Sequence, residues 1–245
     1  MTALLRAELL KLRTTRTFVA LVGSAVALSL LVVVLTTLLT DDLTEEDMTG
    51  LFSADFSSLF ILLLGVMGMA GEWRHRTITS TVLAAPRRLA LMAAKTLAYA
   101  VAGAVLSLIV TVTIMIVGTV IQSLSADTTI GPGDLADVLW RNLAVAALLG
   151  AFGVCVGGIV RNQVAAMIGL LVVAFIVEPT LSGLAPDVGK FGPLSGAPNG
   201  ILGVESFDGG GDDDLLPSGA ALAVMIAWVA AAFAAAAALL QRRDL

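Results

Sequence analysis

The sequence predicts an all-α membrane protein, a single domain of six transmembrane helices over residues 1–245, and three observations carry that reading. Hydrophobic residues make up 58% of the chain and charged residues 13%, whereas a soluble domain has about half and a quarter. Mean hydropathy is +0.98, and apolar runs of the roughly 20 residues needed to cross a bilayer recur along the chain. The charges fall between these runs, basic groups on one side and acidic groups on the other. Cys155, the single cysteine, lies inside an apolar run, which leaves neither a disulfide framework nor a thiolate metal site.

Residues 2–17 place Leu5, Leu9 and Leu12 along one face, with Arg6, Lys11, Arg13 and Arg16 around the others. That pattern fits an amphipathic helix lying in the membrane interface; a basic flank that merely orients the next span accounts for the same charges. Phe18–Leu39 is the first span, too long for the apolar core of a cleaved signal peptide. An acidic turn follows at Asp41, Asp42, Glu45, Glu46 and Asp47. The second span is residues 51–71, with Asp55 near the outer interface.

A third span covers residues 96–121 and ends in a polar loop over 122–137, whose turn is marked by Gly131-Pro132-Gly133. The fourth, 143–160, carries Gly153 and Gly157, a small-residue spacing suited to close helix packing. After the tight turn at Arg161, Asn162 and Gln163, the fifth span covers only 164–177. Fourteen residues at ~1.5 Å each reach about 21 Å, so Glu178 and Pro179 are expected at the outer interface, and Glu178 is a candidate gate. Its bland alternative is a helix-end carboxylate.

Residues 178–219 form an outer loop rich in Gly and Pro, yet with apolar islands at 191–194 and 200–204. A re-entrant segment screened from lipid by protein and a solvated loop both fit. Asp212, Asp213 and Asp214 read as a solvated acidic tip. The sixth span, 220–240, contains twelve alanines, whose small side chains permit close helix contact.

Orientation follows from counting. With both termini in the cytoplasm, twelve of the fourteen Lys and Arg lie inside, and only Arg141 and Lys190 fall outside. The reverse topology would put those twelve on the wrong face.

Several chemistries are excluded. None of the six runs carries a charge near its centre, as a gradient-driven transporter usually needs. His75, the only histidine, lies on the cytoplasmic side, whereas Ser182 and Ser195 lie in the outer loop, so no nucleophile and base come together. The stretch Gly183–Lys190 departs from a P-loop in spacing and has Phe191 where Ser or Thr should hold magnesium. The chain reads as a membrane pathway without an engine of its own and not as an enzyme. Its basic residues flank lipid and imply no nucleic-acid partner.

The most distinctive stretch is cytoplasmic, the seventeen residues from Glu72 to Arg88. Glu72 suits a helix N-terminus, Pro86 ends a helix, Trp73, Thr77 and Thr81 share a face, and Ile78 and Val82 form a neighbouring stripe. The β-branched run from Thr77 to Val82 has poor helix propensity, so a helix there would be held by a partner or the membrane surface. Arg74, Arg76, Arg87 and Arg88 also serve as ordinary positive-inside charges, which leaves Glu72 and the length unexplained.

Gly71-Glu72-Trp73-Arg74-His75-Arg76-Thr77-Ile78, the Pro86-Arg87-Arg88 ending and the following Lys95 resemble the loop between the second and third spans of bacterial ABC-2 type permeases, actinobacterial ones above all. Trp73 and Arg76 stand where that pattern has Tyr and Gly. Glu8-Leu9-Leu10-Lys11-Leu12-Arg13 is similar to the family's opening elbow helix. The resemblance implies that residues 72–88 form a coupling helix docked on a separate cytoplasmic ATPase. Two copies of that ATPase, holding ATP and Mg, would serve two permease copies in a homodimer. It further implies export across the bacterial cytoplasmic membrane, and apolar spans suit a hydrophobic or amphiphilic substrate. The alternative function is a non-transport membrane anchor or regulatory subunit for a cytoplasmic partner.

Overall fold

In the computed structural model, residues 2–39, 50, 52–53, 55–75, 77, 87–125, 131–204 and 215–242 are described. The two acidic runs at 41–47 and 212–214 lie outside them, as do Arg76, Ile78, Thr81, Val82 and Pro86 of the coupling stretch. Every regular element among the described residues is helical.

Helix α1 covers Thr2–Thr14 and ends at Thr15, before α2 (Arg16–Leu39). Helix α3 is Ser57–Arg74, α4 is Arg88–Ser125 and α5 is Pro132–Val160. Helix α6 runs over Gln163–Leu184, with a π-helical turn at Val173–Val177. Two short helices, α7 (Pro186–Gly189) and α8 (Gly196–Leu202), precede α9 (Ser218–Arg242).

Five of these helices, α2, α4, α5, α6 and α9, are long and apolar enough to cross a membrane. The helix in place of the expected second span, α3, has 18 residues, or about 27 Å, and carries Glu72 and Arg74 in its last turn. It is set among its neighbours, with Ile61, Val66 and Ala70 fully buried.

Helix α5 is the axis of the bundle and packs against α3, α4 and α9, while α2 and α6 lie outside. Glycine makes that centre possible. A Cβ on Gly157 would stand 2.8 Å from Val66 O, one on Gly65 2.6 Å from Gly150 O, and one on Gly153 would collide with Leu62 O. The backbones of α3 and α5 therefore touch directly, which larger side chains would forbid. The outer helices instead turn large apolar groups outward, among them Leu31, Leu38, Ile168 and Phe175, as lipid-facing surfaces do.

Helix α4 begins eight residues before the expected third span, and two further boundaries that differ from expectation lie at proline. Gly131-Pro132-Gly133 opens α5 instead of marking a turn eleven residues before it: Pro132 occupies the first helical turn, where its missing N–H costs nothing, and Asp134 Oδ2 accepts from Gly131 N at 3.2 Å. Pro179 does not end the fifth span at 177. The π turn just before it widens the helix and relieves the clash a proline ring makes with the carbonyl four residues back, so α6 continues to Leu184.

Candidate functional site

Helix α1, the last turn of α3 and the first turns of α4 meet around four ionic groups. Lys95, 1% exposed on α4, donates from Nζ to Glu72 Oε1 at 2.7 Å and to Glu8 Oε2 at 2.9 Å. Lys11 closes the cluster from the solvent side, with Nζ 2.8 Å from Glu8 Oε1 and 3.3 Å from Glu72 Oε1. Two cations and two carboxylates balance, as groups withdrawn from water must.

Burial opposes ionisation of Glu8, but Lys95 and Lys11 outweigh it and bring the carboxyl below its ordinary value. For Lys11 burial likewise disfavours the charge, and Glu8 and Glu72 overcome it and raise the ammonium's pKa. Glu72 Oε2 is a buried acceptor with no hydrogen-bond partner among the described residues. The cluster forms one wall of an open cleft of about 780 Å³, with Leu64, Gly68 and Tyr99 on its apolar side and Arg74 and His75 at its rim.

This geometry places Glu72 differently from the sequence reading. Glu72 and Trp73 sit in the last turn of α3 and face inward, so they do not begin a separate helix. The Trp73 ring lies under Arg161, with the guanidinium carbon 4.7 Å from its centroid. Arg161 is the one non-glycine residue with left-handed φ among the described residues, +56°, at the reversal between α5 and α6. Asn162 then starts α6 by accepting from Val164 N and Ala165 N.

Arg74, His75, Thr77 and Arg87 are exposed around the coupling loop. Arg88 instead turns toward α9 and donates from Nη1 to Leu240 O at 2.8 Å, which fills a carbonyl left open at that helix's C-terminus. The loop between His75 and Arg87 thus hangs from two anchored roots: the ion cluster with the Trp73–Arg161 stack, and the Arg88 cap.

Glu8 and Lys11 complete the cluster although sequence reasoning saw them only as parts of an amphipathic helix. The available signal was Glu8 itself, a carboxylate on the same helical face as Leu5, Leu9 and Leu12.

On the other side of the bundle, Glu178 is 3% exposed and held by the segment that returns beneath it. Its carboxylate accepts from Leu194 N at 3.0 Å, Ser195 N at 2.6 Å, Gly196 N at 3.4 Å and Ser195 Oγ at 2.8 Å. This fixes the turn before α8, whose Ala197 and Ile201 are fully buried. Arg141 caps the far end of α8, with Nη1 3.4 Å from both Ile201 O and Leu202 O.

No curated protein matches the chain. The model of the family described as "ABC-2 family transporter protein" matches residues 4–178, a span that includes the ion cluster, the Trp73–Arg161 pair and the whole coupling stretch. A match over more than half of the chain, on a bundle with several membrane-crossing helices, makes this protein a multi-pass transport permease and a member of the ABC-2 transporter family.

Proposed function

We propose that the chain is the permease subunit of an ATP-driven exporter, powered by a separate cytoplasmic ATPase that carries the ATP and Mg. Six spans, with α3 as the second, and cytoplasmic termini agree with the charge count. Two permease copies and two ATPase copies form the working assembly. The cargo is hydrophobic or amphiphilic, and the pathway alternates access as the ATPase closes and opens. This chain does no chemistry on it.

The observation that carries the reading is the ionic link at the root of the coupling loop. Lys95 joins the end of α3, the start of α4 and α1 through one buried ammonium. A force applied to residues 75–87 therefore acts on three helices together. Exposed Arg74 and Arg87 beside that link offer a cationic surface for an ATPase, with the His75 side chain next to them.

The test is co-purification of the tagged chain with a P-loop ATPase encoded beside it, followed by reconstitution into vesicles. The reading expects hydrolysis that rises when the permease and an amphiphilic cargo are present. Stable association with hydrolysis indifferent to every cargo would instead support an anchor or regulatory subunit.

A further inference from the structure

Far from the Lys95 cluster, two carboxylates within the bundle have no cationic partner among the described residues: Glu178, whose oxygens are filled by amides, and the half-buried Asp55. Asp55 lies in a non-helical stretch just before α3, after helical residues 52–53 and close to Ser57. Its partners Ser107 and Thr111 stand twelve and sixteen residues beyond Lys95 on α4, about 18 and 24 Å along the helix. That is the outer half of a hydrocarbon core roughly 30 Å thick. A non-helical backbone at this depth must be satisfied by protein, and here it is: Phe56 N donates to Ser29 Oγ on α2 at 3.1 Å.

The hydrogen-bond directions are fixed by chemistry. Asn142 Nδ2 donates to Phe52 O at 3.1 Å, so the amide orientation is set, because only an N–H can pair with a carbonyl. The same Nδ2 donates to Thr111 Oγ1 at 3.1 Å, which sends the Thr111 hydrogen to Asp55 Oδ2, also at 3.1 Å. Ser107 Oγ donates to that same oxygen, and Ser57 N donates to Asp55 Oδ1 at 2.7 Å.

Both amide hydrogens of Asn142 are spent in this network, whereas its carbonyl oxygen is not. Asn142 is 2% exposed and its Oδ1 has no partner, and the fully buried Ser57 Oγ faces the Asp55 carboxylate and has no other partner. Unused oxygen lone pairs beside a single half-buried carboxylate suit a positive ligand. One carboxylate among neutral oxygens balances a single charge, while divalent ions are held by more carboxylates or by waters.

We propose that Asp55, Ser57, Ser107, Thr111 and Asn142 form a binding site for a monovalent alkali cation in the outer half of the bundle. The cation completes the polar layer where α2, α3, α4 and α5 meet, and it neutralises a charge that is otherwise costly within the membrane.

The full-length chain in detergent reports occupancy through its melting temperature, followed by a thiol-reactive dye at buried Cys155. NaCl, LiCl, KCl and choline chloride are compared at one ionic strength and one pH. One alkali ion should raise Tm saturably, by roughly 3–6 °C at about ten times its half-saturating concentration. Asp55→Asn, nearly the same shape without the charge, should abolish the increment. Asn142→Ala, which keeps the carboxylate, should move half-saturation at least about tenfold, the effect of losing one ligand of roughly 1.4 kcal/mol. Equal melting in all four salts overturns the proposal. So does a stability that follows pH but not the cation, since the site would then take a proton, and so does an Asp55→Asn chain that keeps the increment.

Discussion

Lys95 and Glu72 lie on the two helices that flank residues 75–87 and meet through a 2.7 Å ion pair, which the same lysine extends to Glu8 on α1 at 2.9 Å. The pair ties the loop's entry to its exit and joins α1, the end of α3 and the first turns of α4 into one unit. Its removal should be felt first in stability.

Lys95→Met leaves Glu8 and Glu72 buried with only the more exposed Lys11 between them. Breaking a buried pair by removing one partner costs about 3–5 kcal/mol. Thermal unfolding read at Cys155 should show a marked fall in Tm, and Glu8→Gln in the same background should recover part of it. Additive losses in that double-mutant cycle would mean that the two residues are energetically independent.

Acid should weaken the cluster. The folded-state pKa of Glu8 lies below its ordinary value, so its stabilising effect is complete above that value and is lost as pH falls through the lower, folded pKa. The melting difference between the wild type and Glu8→Gln should be steady near neutrality and shrink below about pH 4.5. A difference unchanged down to pH 3 would contradict the assignment.

Close contact of α3 with α5 predicts an asymmetry among glycines. Gly153→Val must push α3 from α5 at Leu62 and should cost about 1–3 kcal/mol or more, with a clear loss of Tm. Gly23→Ala, where an added Cβ meets nothing within 4 Å, should leave Tm unchanged or raised.

Glu178 should govern order in the returning outer segment. Glu178→Ala leaves the amides of Leu194, Ser195 and Gly196 without their acceptor, and each unmet buried donor costs about 1–3 kcal/mol. Hydrogen exchange at residues 194–196 should accelerate and cleavage between 186 and 204 should become faster. Unaltered protection would show that α8 is held by its apolar packing alone.

Much of the architecture is legible in the sequence because it depends on local quantities. The apolar runs place α2, α4, α5, α6 and α9, and Leu5, Leu9 and Leu12 place α1. Local rules misled where two of them compete: Pro132 obeys the helix-start rule over the turn rule, and Pro179 is carried through by a π turn. The sites are harder to read because their members are far apart. Glu8 and Lys95 are separated by 87 residues, and Asn142 lies 90 from Phe52. Which faces meet depends on the register of α3 against α5, set by Gly65, Gly150, Gly153 and Gly157 together, and no single segment encodes it. The polar layer is silent to a search for charges at span centres, because Ser107 and Thr111 are neutral and Asp55 lies near the start of its span.

The account's central claim, that the coupling loop passes ATPase motion to the bundle through the Glu72–Lys95 link, is tested most directly by ATP hydrolysis in vesicles that hold this permease and its ATPase. Wild type is compared with Glu72→Gln, which weakens the link, and Arg76→Glu, which reverses a charge in the loop, each at matched membrane insertion. The account predicts that permease-dependent stimulation falls roughly 5-fold or more in both variants, the scale of a lost coupling free energy. Stimulation equal to wild type in both would contradict it.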